Sequence, residues 1–184
     1  MNPSGKIPVL VDPASAHHDE IVLSESGAIL MYLAETYQEL LPTTTMDLRW
    51  QTIRWCIWGS SSWSSEVKNL GFHYQYSLHK LEYSQEHARI HVERMLQTLE
   101  RQLENTDGNW IMGNFYTIAD LSIWPWLSAM FNVYTDLIPQ KFDNLDAFPR
   151  VKAWYERCVA RPASKKAFDV CPIRDFDSGL KKHS

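Results

Sequence analysis

Every clear strand signal in this chain lies before residue 25, and that confines the fold to a small β element carrying a mostly helical body. Ile7-Pro8-Val9-Leu10-Val11 is a short β-branched run behind the turn cluster Asn2-Pro3-Ser4-Gly5. Asp12 to Asp19 is a polar loop, and Glu20-Ile21-Val22-Leu23 makes a second strand. Two strands joined by so compact a loop are expected as antiparallel neighbours. Pro8 sits inside the first run, where a lost N–H is tolerated only at an edge or a bulge.

From Ser26 the period changes to a helical one. Ala28, Ile29, Met31, Tyr32, Leu33 and Tyr37 cover more than one face, as in a helix pressed on a sheet, with Ser24 or Ser26 as its N-cap. Leu41-Pro42 and Thr43-Thr44-Thr45 read as a linker. Beyond it come four helices. Residues 47–64 are bulky and aromatic, with Trp55, Trp58 and Trp63. Residues 85–104 carry one apolar stripe (Ala88, Val92, Met95, Leu96, Leu99, Leu103) opposite a charged face that includes Glu93 and Glu100. The third runs from about Thr117 to Tyr134, with a kink or local break expected at Pro125. The fourth runs from about Phe148 to Ala160 and is ended by Pro162. The last ten residues read as a frayed tail.

Composition excludes several classes. With 184 residues, 45% of them hydrophobic, the chain can bury a sizeable core in one domain or two small ones. A net charge of −4 supplies no basic field for nucleic acid, and Lys6 is the sole cation in the first 48 residues. No apolar run reaches the roughly 18–20 residues of a membrane span. The polar start, Met1-Asn2-Pro3-Ser4-Gly5-Lys6, does not read as a secretory signal. Cys56, Cys158 and Cys171 are odd in number and widely spaced, which argues against a disulfide framework or zinc site and for a reducing compartment.

Few residues point to chemistry by themselves. Thr117-Ile118-Ala119-Asp120 is a capping box: the Thr hydroxyl accepts from the N3 amide and the Asp carboxylate reaches back to the N-cap N–H. Ser24-Glu25-Ser26-Gly27 joins a strand end to a helix start, where backbone N–H groups and the helix dipole favour an anion, although a plain cap reads the same way. His87 and His91 share a helix face at a spacing that suits a metal, with no third ligand evident. Cys56, flanked by Trp55 and Trp58, reads as a buried inert thiol rather than a nucleophile. The serines after Gly59 either line a cleft or let two helices approach closely. No G-x-S-x-G, P-loop or dinucleotide fingerprint occurs.

Two of these segments at their mutual spacing, Asn2-Pro3-Ser4-Gly5-Lys6-Ile7-Pro8-Val9-Leu10 and Leu23-Ser24-Glu25-Ser26-Gly27-Ala28-Ile29-Leu30-Met31-Tyr32-Leu33, resemble the glutathione-site half of the cytosolic glutathione S-transferases. Thr117-x-x-Asp120 after Gly113-Asn114, and Phe148-Pro149 with Trp154 and Arg161-Pro162, are similar to that family's helical-domain signatures. The resemblance runs from residue 2 to about 168. It implies an α+β remnant of a thioredoxin-like domain (β-β-α), residues 1–41, then a linker, 42–46, and an all-α helical bundle, 47–184. The family's chain starts with a strand, a helix and a second strand ahead of the Asn2–Pro8 turn. That segment, expected to be lacking here, carries the group that activates the glutathione thiol, so no residue of this chain takes a catalytic role.

The resemblance also assigns a site. Pro8 corresponds to the family's cis-proline, which leaves the backbone of Ile7 to pair with the cysteinyl backbone of glutathione like an added strand. Ser26 and the helix N-terminus take the γ-glutamyl carboxylate, Glu25 the ammonium group, and Lys6 approaches the glycyl carboxylate. A hydrophobic electrophile would lie against the first bundle helix near Trp55, Trp58 and Ser62. Implied with these are glutathione as co-substrate, no metal, no nucleic acid or membrane partner, a homodimer, a cytoplasmic location and a role in detoxification. The function expected is conjugation of the glutathione thiol to hydrophobic electrophiles, weak or absent in this chain alone. A non-catalytic binding module and a glutathione-dependent disulfide reductase are the alternatives.

Overall fold

A computed structural model describes residues 2–14, 19–133 and 145–170. Its elements are β1 (Val9–Asp12), β2 (Ile21–Ser24), α1 (Ser26–Tyr37), α2 (Met46–Ile57), α3 (Ser64–Gly71), α4 (Glu82–Asn105), α5 (Ile118–Val133), α6 (Pro149–Ala160) and α7 (Pro162–Val170). Two π-helical segments, Trp58–Trp63 and Phe72–Tyr76, join α2 to α3 and extend α3.

β1 and β2 pair antiparallel, Val9 against Ser24 and Asp12 against Ile21, as the compact loop implied. The ladder starts at Val9, so Pro8 precedes it rather than interrupting it. In this register Val9, Val11 and Val22 share one face and Leu10, Asp12, Ile21 and Leu23 the other. Helix α1 packs on β2, and its Tyr32 hydroxyl donates to Asp12 at 2.5 Å. The start of α1 departs from expectation. Its N-cap is Glu25, at φ 71° and ψ 114°, and neither Ser24 nor Ser26 caps it through a side chain.

The helical body is organised by α5, which packs on α1, α2, α3 and α6. The main core gathers Trp63, Val67, Leu70, Val92, Leu96, Leu99, Ile123, Leu127, Val151 and Trp154. A smaller cluster of Ala34, Leu41, Cys56 and Ile118 joins α1 to the body, and the Ile118 N–H donates to the Leu40 carbonyl at 2.9 Å. The helix predicted over 47–64 in fact changes to π geometry at Trp58. There Ser60 Oγ and Ser61 Oγ bond back to the carbonyls of Cys56 and Ile57, at 2.9 and 2.7 Å. Such back-bonding competes with the regular helical ladder.

Four further differences from expectation concern α3, Pro162, Pro125 and Glu100. Helix α3 was not expected from the sequence, yet Ser64, Val67, Leu70 and Gly71 lie along one buried face of it. Pro162 starts α7 as well as ending α6, since proline suits a first helical turn. No local break occurs at Pro125, through which α5 runs on. Glu100, on the charged face of α4, is buried and accepts from the Arg150 and Val151 N–H groups at 2.9 Å each, so it caps α6. The last ten residues lie outside the described residues.

Candidate functional site

The N-terminal turn holds its shape through Asn2. Its carbonyl accepts from the Gly5 N–H at 3.0 Å and its Oδ1 from the Ser4 N–H at 2.9 Å, while its Nδ2 donates to the Lys6 carbonyl at 2.8 Å. Gly5 takes φ 62°, a left-handed value that suits glycine. The turn presents Lys6 and Ile7 to solvent, Ile7 at 94% exposure, and the Ile7-Pro8 peptide bond is cis. A large aliphatic residue so fully exposed at the mouth of a strand leaves its backbone accessible to an extended partner.

Glu25 is the second feature. Positive φ in a non-glycine residue costs about 1–3 kcal/mol and persists only where the surroundings enforce it. Here it turns the chain from β2 into α1 and exposes the Glu25 side chain. With no side-chain cap from Glu25, the first N–H groups of α1, starting at Ser26, lack an intrahelical partner, and the positive end of the helix dipole adds to their pull on an anion. Gly27 is buried directly behind: a Cβ there would stand 2.6 Å from Ser60 Oγ. The start of α1 therefore meets the π segment of the first bundle helix at Gly27 and Ser60.

The three residues expected to face an electrophile are placed unequally. Trp55 is 3% exposed and belongs to the core, and its indole N–H has no partner among the described residues. Trp58 is half-buried, edge-on to Trp55 at 5.0 Å and stacked on Trp63 at 6.0 Å. Ser62 is exposed. Of the serines after Gly59, Ser60 and Ser64 serve close packing: Ser60 abuts Gly27, and Ser64 Oγ donates to the Ser60 carbonyl at 2.7 Å. Gly59 is also tight, since a Cβ there would lie 2.6 Å from Ile123 Cγ1.

The other chemistry-bearing residues are structural. Cys56 and Cys158 are free and fully buried, and burial pushes the Cys56 thiol up to about 11 while Ser122 pulls the other way. Asp120 accepts from four donors: the Ile111 N–H (3.1 Å), Thr117 N–H (2.8 Å), Thr117 hydroxyl (3.2 Å) and Trp154 indole (2.8 Å). Burial raises its carboxyl above the usual range, and those donors oppose the rise. The box thus forms, although Thr117 Oγ1 takes its bond from the second helical amide, Ala119, at 3.3 Å rather than from the third. The Trp154 and Ile111 donors to Asp120 leave no mark in a local sequence pattern. The His87 and His91 rings lie 4.3 Å apart, tilted by 33°, and among the described residues no group of three or more His, Cys, Asp or Glu is disposed to hold a metal.

The family model for the glutathione S-transferase N-terminal domain matches residues 1–35, and that for the C-terminal domain matches residues 82–157. The disulfide-bond oxidoreductase YfcG of Escherichia coli is 33% identical over 183 residues, spanning 95% of this chain and 77% of that protein. The chain belongs to the glutathione S-transferase family. An uncharacterized GST-like protein of Streptococcus mutans is 32% identical over 170 residues, and there this chain spans 63% of the relative's length. Among solved structures, a glutathione transferase of Burkholderia graminis superposes with a TM-score of 0.83 at 30% identity, covering 94% of this chain and 70% of that one; two glutathione molecules are bound per subunit there. The β-β-α unit and helical body are thus those of a glutathione transferase, the first of thioredoxin-like type. No described helix is long and apolar enough to cross a membrane.

Proposed function

We propose that this chain binds glutathione between the Lys6-Ile7-Pro8 turn and the Glu25-Ser26 start of α1, and that the bound thiol is used in exchange with disulfides. The observation that carries the reading is the uncapped start of α1, turned outward by the left-handed Glu25 and paired with the exposed Ile7 backbone. Ser26 and the free N–H groups of α1 hold the γ-glutamyl carboxylate, Glu25 its ammonium group, Ile7 the cysteinyl backbone and Lys6 the glycyl carboxylate. In the exchange the glutathione thiolate bonds to one sulfur of the disulfide, and the other sulfur leaves as a thiolate that takes a proton. A second glutathione then releases the remaining half as a thiol and forms glutathione disulfide. Likeness to YfcG supports disulfides as the co-substrate class.

Conjugation to a hydrophobic electrophile is the second reading. Trp58 and Ser62 favour it, because both reach the surface of the segment that Gly27 touches. The buried Trp55 offers an electrophile little surface. Residues 1–41, 42–46 and 47–184 serve in both readings as the glutathione-binding part, linker and helical domain.

Calorimetry with glutathione on the whole chain tests the site. Ser26→Ala removes one hydrogen bond to a charged group, worth about 1.5–3 kcal/mol, so binding should weaken roughly 10- to 100-fold. A folded protein that takes up no glutathione overturns the proposal. Binding without turnover of small disulfides or aryl halides leaves the chain a binding module.

A further inference from the structure

The ladder of α1 begins with the Ile29 N–H, which donates to the Glu25 carbonyl at 3.0 Å, so the amides of Ser26, Gly27 and Ala28 precede it. Gly27 is therefore both one of the donors at the helix start and the residue that meets the helical body. The meeting is close on two atoms: a Cβ at Gly27 would stand 2.6 Å from Ser60 Oγ and 3.2 Å from Ser60 Cβ. Outside α1 and its flanks, no other described residue comes within 4 Å of that point.

The two sides of this contact are not equally firm. Ser60 Oγ donates to the Cys56 carbonyl at 2.9 Å, and the Ser60 carbonyl accepts from Ser64 Oγ at 2.7 Å. Rotating the hydroxyl away from Gly27 would break the first bond and still leave the Ser60 Cβ in place. Gly59, the preceding residue, abuts α5, where a Cβ would meet Ile123 Cγ1 at 2.6 Å. A close-packed body of this kind yields little. The start of α1 is softer, because Glu25 gives it no side-chain cap. An atom inserted between the two therefore moves α1 rather than Ser60.

We infer that Ser60 is a positioning residue for glutathione: by seating Gly27 it fixes where the Ser26, Gly27 and Ala28 amides point, and so how firmly the γ-glutamyl carboxylate is held. This inference rests on the glutathione site proposed above and gives that site its support from the helical body. Hydrogen bonds are directional, and a binding constellation tolerates displacements of only about 0.5 Å.

Calorimetry of the whole chain with glutathione tests it through a cycle of variants. Gly27→Ala crowds the seat and should weaken binding about tenfold or more. Ser60→Gly empties the seat and should weaken binding about threefold or more, whereas the double variant refills it from the other side and should bind within about twofold of the parent. Val92→Ala, in the core of α4, should lower the urea midpoint and leave the dissociation constant unchanged, which separates seating from loss of stability. Should Gly27→Ala lose helicity by circular dichroism, the double variant against Ser60→Gly carries the same test. A folded Gly27→Ala that binds as tightly as the parent overturns this inference alone. So does a double variant that binds no tighter than Ser60→Gly, or a Val92→Ala that weakens binding as much as Gly27→Ala. A folded parent that takes up no glutathione overturns the proposed site and this inference with it.

Discussion

Glu25 shows how one residue can be set against the stability of its own chain. Its left-handed backbone turns β2 into α1 and leaves the helix start open, at a local cost of about 1–3 kcal/mol. Glu25→Gly should therefore raise the urea midpoint or leave it unchanged, while glutathione binding falls with loss of the carboxylate. A clear loss of stability would show that the side chain, rather than the backbone, holds the turn. Cys56 illustrates the opposite bias, towards silence. Its folded thiol, pushed up to about 11 from an ordinary 9.0, holds its proton more tightly than in the unfolded chain. That contribution to stability is full below pH 9 and is lost as pH rises towards about 11. It amounts to about 2–3 kcal/mol, at 1.36 kcal/mol per unit. Urea midpoints near pH 8 and near pH 10.5 should show a smaller alkaline drop in Cys56→Ala than in the parent; equal drops would assign the effect elsewhere.

Among the elements, close approach matters more than periodicity. Gly59 lies so near Ile123 and Ser122 that Gly59→Ala should cost about 1–3 kcal/mol, with only part recovered by adding Ser122→Ala, because the Ile123 contact remains. Full recovery would place the strain at the serine alone. Such contacts explain what the sequence could and could not reveal. Helix α4 was legible because its burial follows one stripe, and the β1–β2 pair because a short polar loop leaves few other pairings. Helix α3 was hidden by serines whose packing and back-bonding suit a π segment that no period announces. The Lys6–Pro8 and Glu25–Ser26 segments were legible as motifs, but the left-handed turn at Glu25 was not, since glycine would be the ordinary signal there. Trp55 was placed on the right helix, and only the tertiary packing shows that its ring lies in the core.

Across the whole molecule, cohesion is unequal. The body holds its helices around α5 by large, fully buried side chains, whereas the hairpin keeps Val11 and Val22 half-exposed. The tie between the two runs through Ala34, Leu41, Cys56 and Ile118 with Leu30, Met31 and Ile53 packed on them, a backbone hydrogen bond from Ile118 to Leu40, the Gly27–Ser60 contact and an ion pair between Glu35 and Arg49. Local opening follows buried contact, so amide hydrogen exchange in β1 and β2 should outpace that in the middle of α4 and α5 by two or more orders of magnitude. Equal protection would mean that the hairpin and body open as one cooperative unit.

The stacked indoles of the π segment have an optical consequence. Trp58 lies nearly parallel to Trp63, 8° between their planes, and edge-on to Trp55. Neighbouring indoles at such separations share their excitations, so their combined dichroism depends on mutual orientation rather than on helix content. That signal belongs to the segment Gly27 touches, and the protein thus carries a chromophore at the junction between its hairpin unit and its helical body.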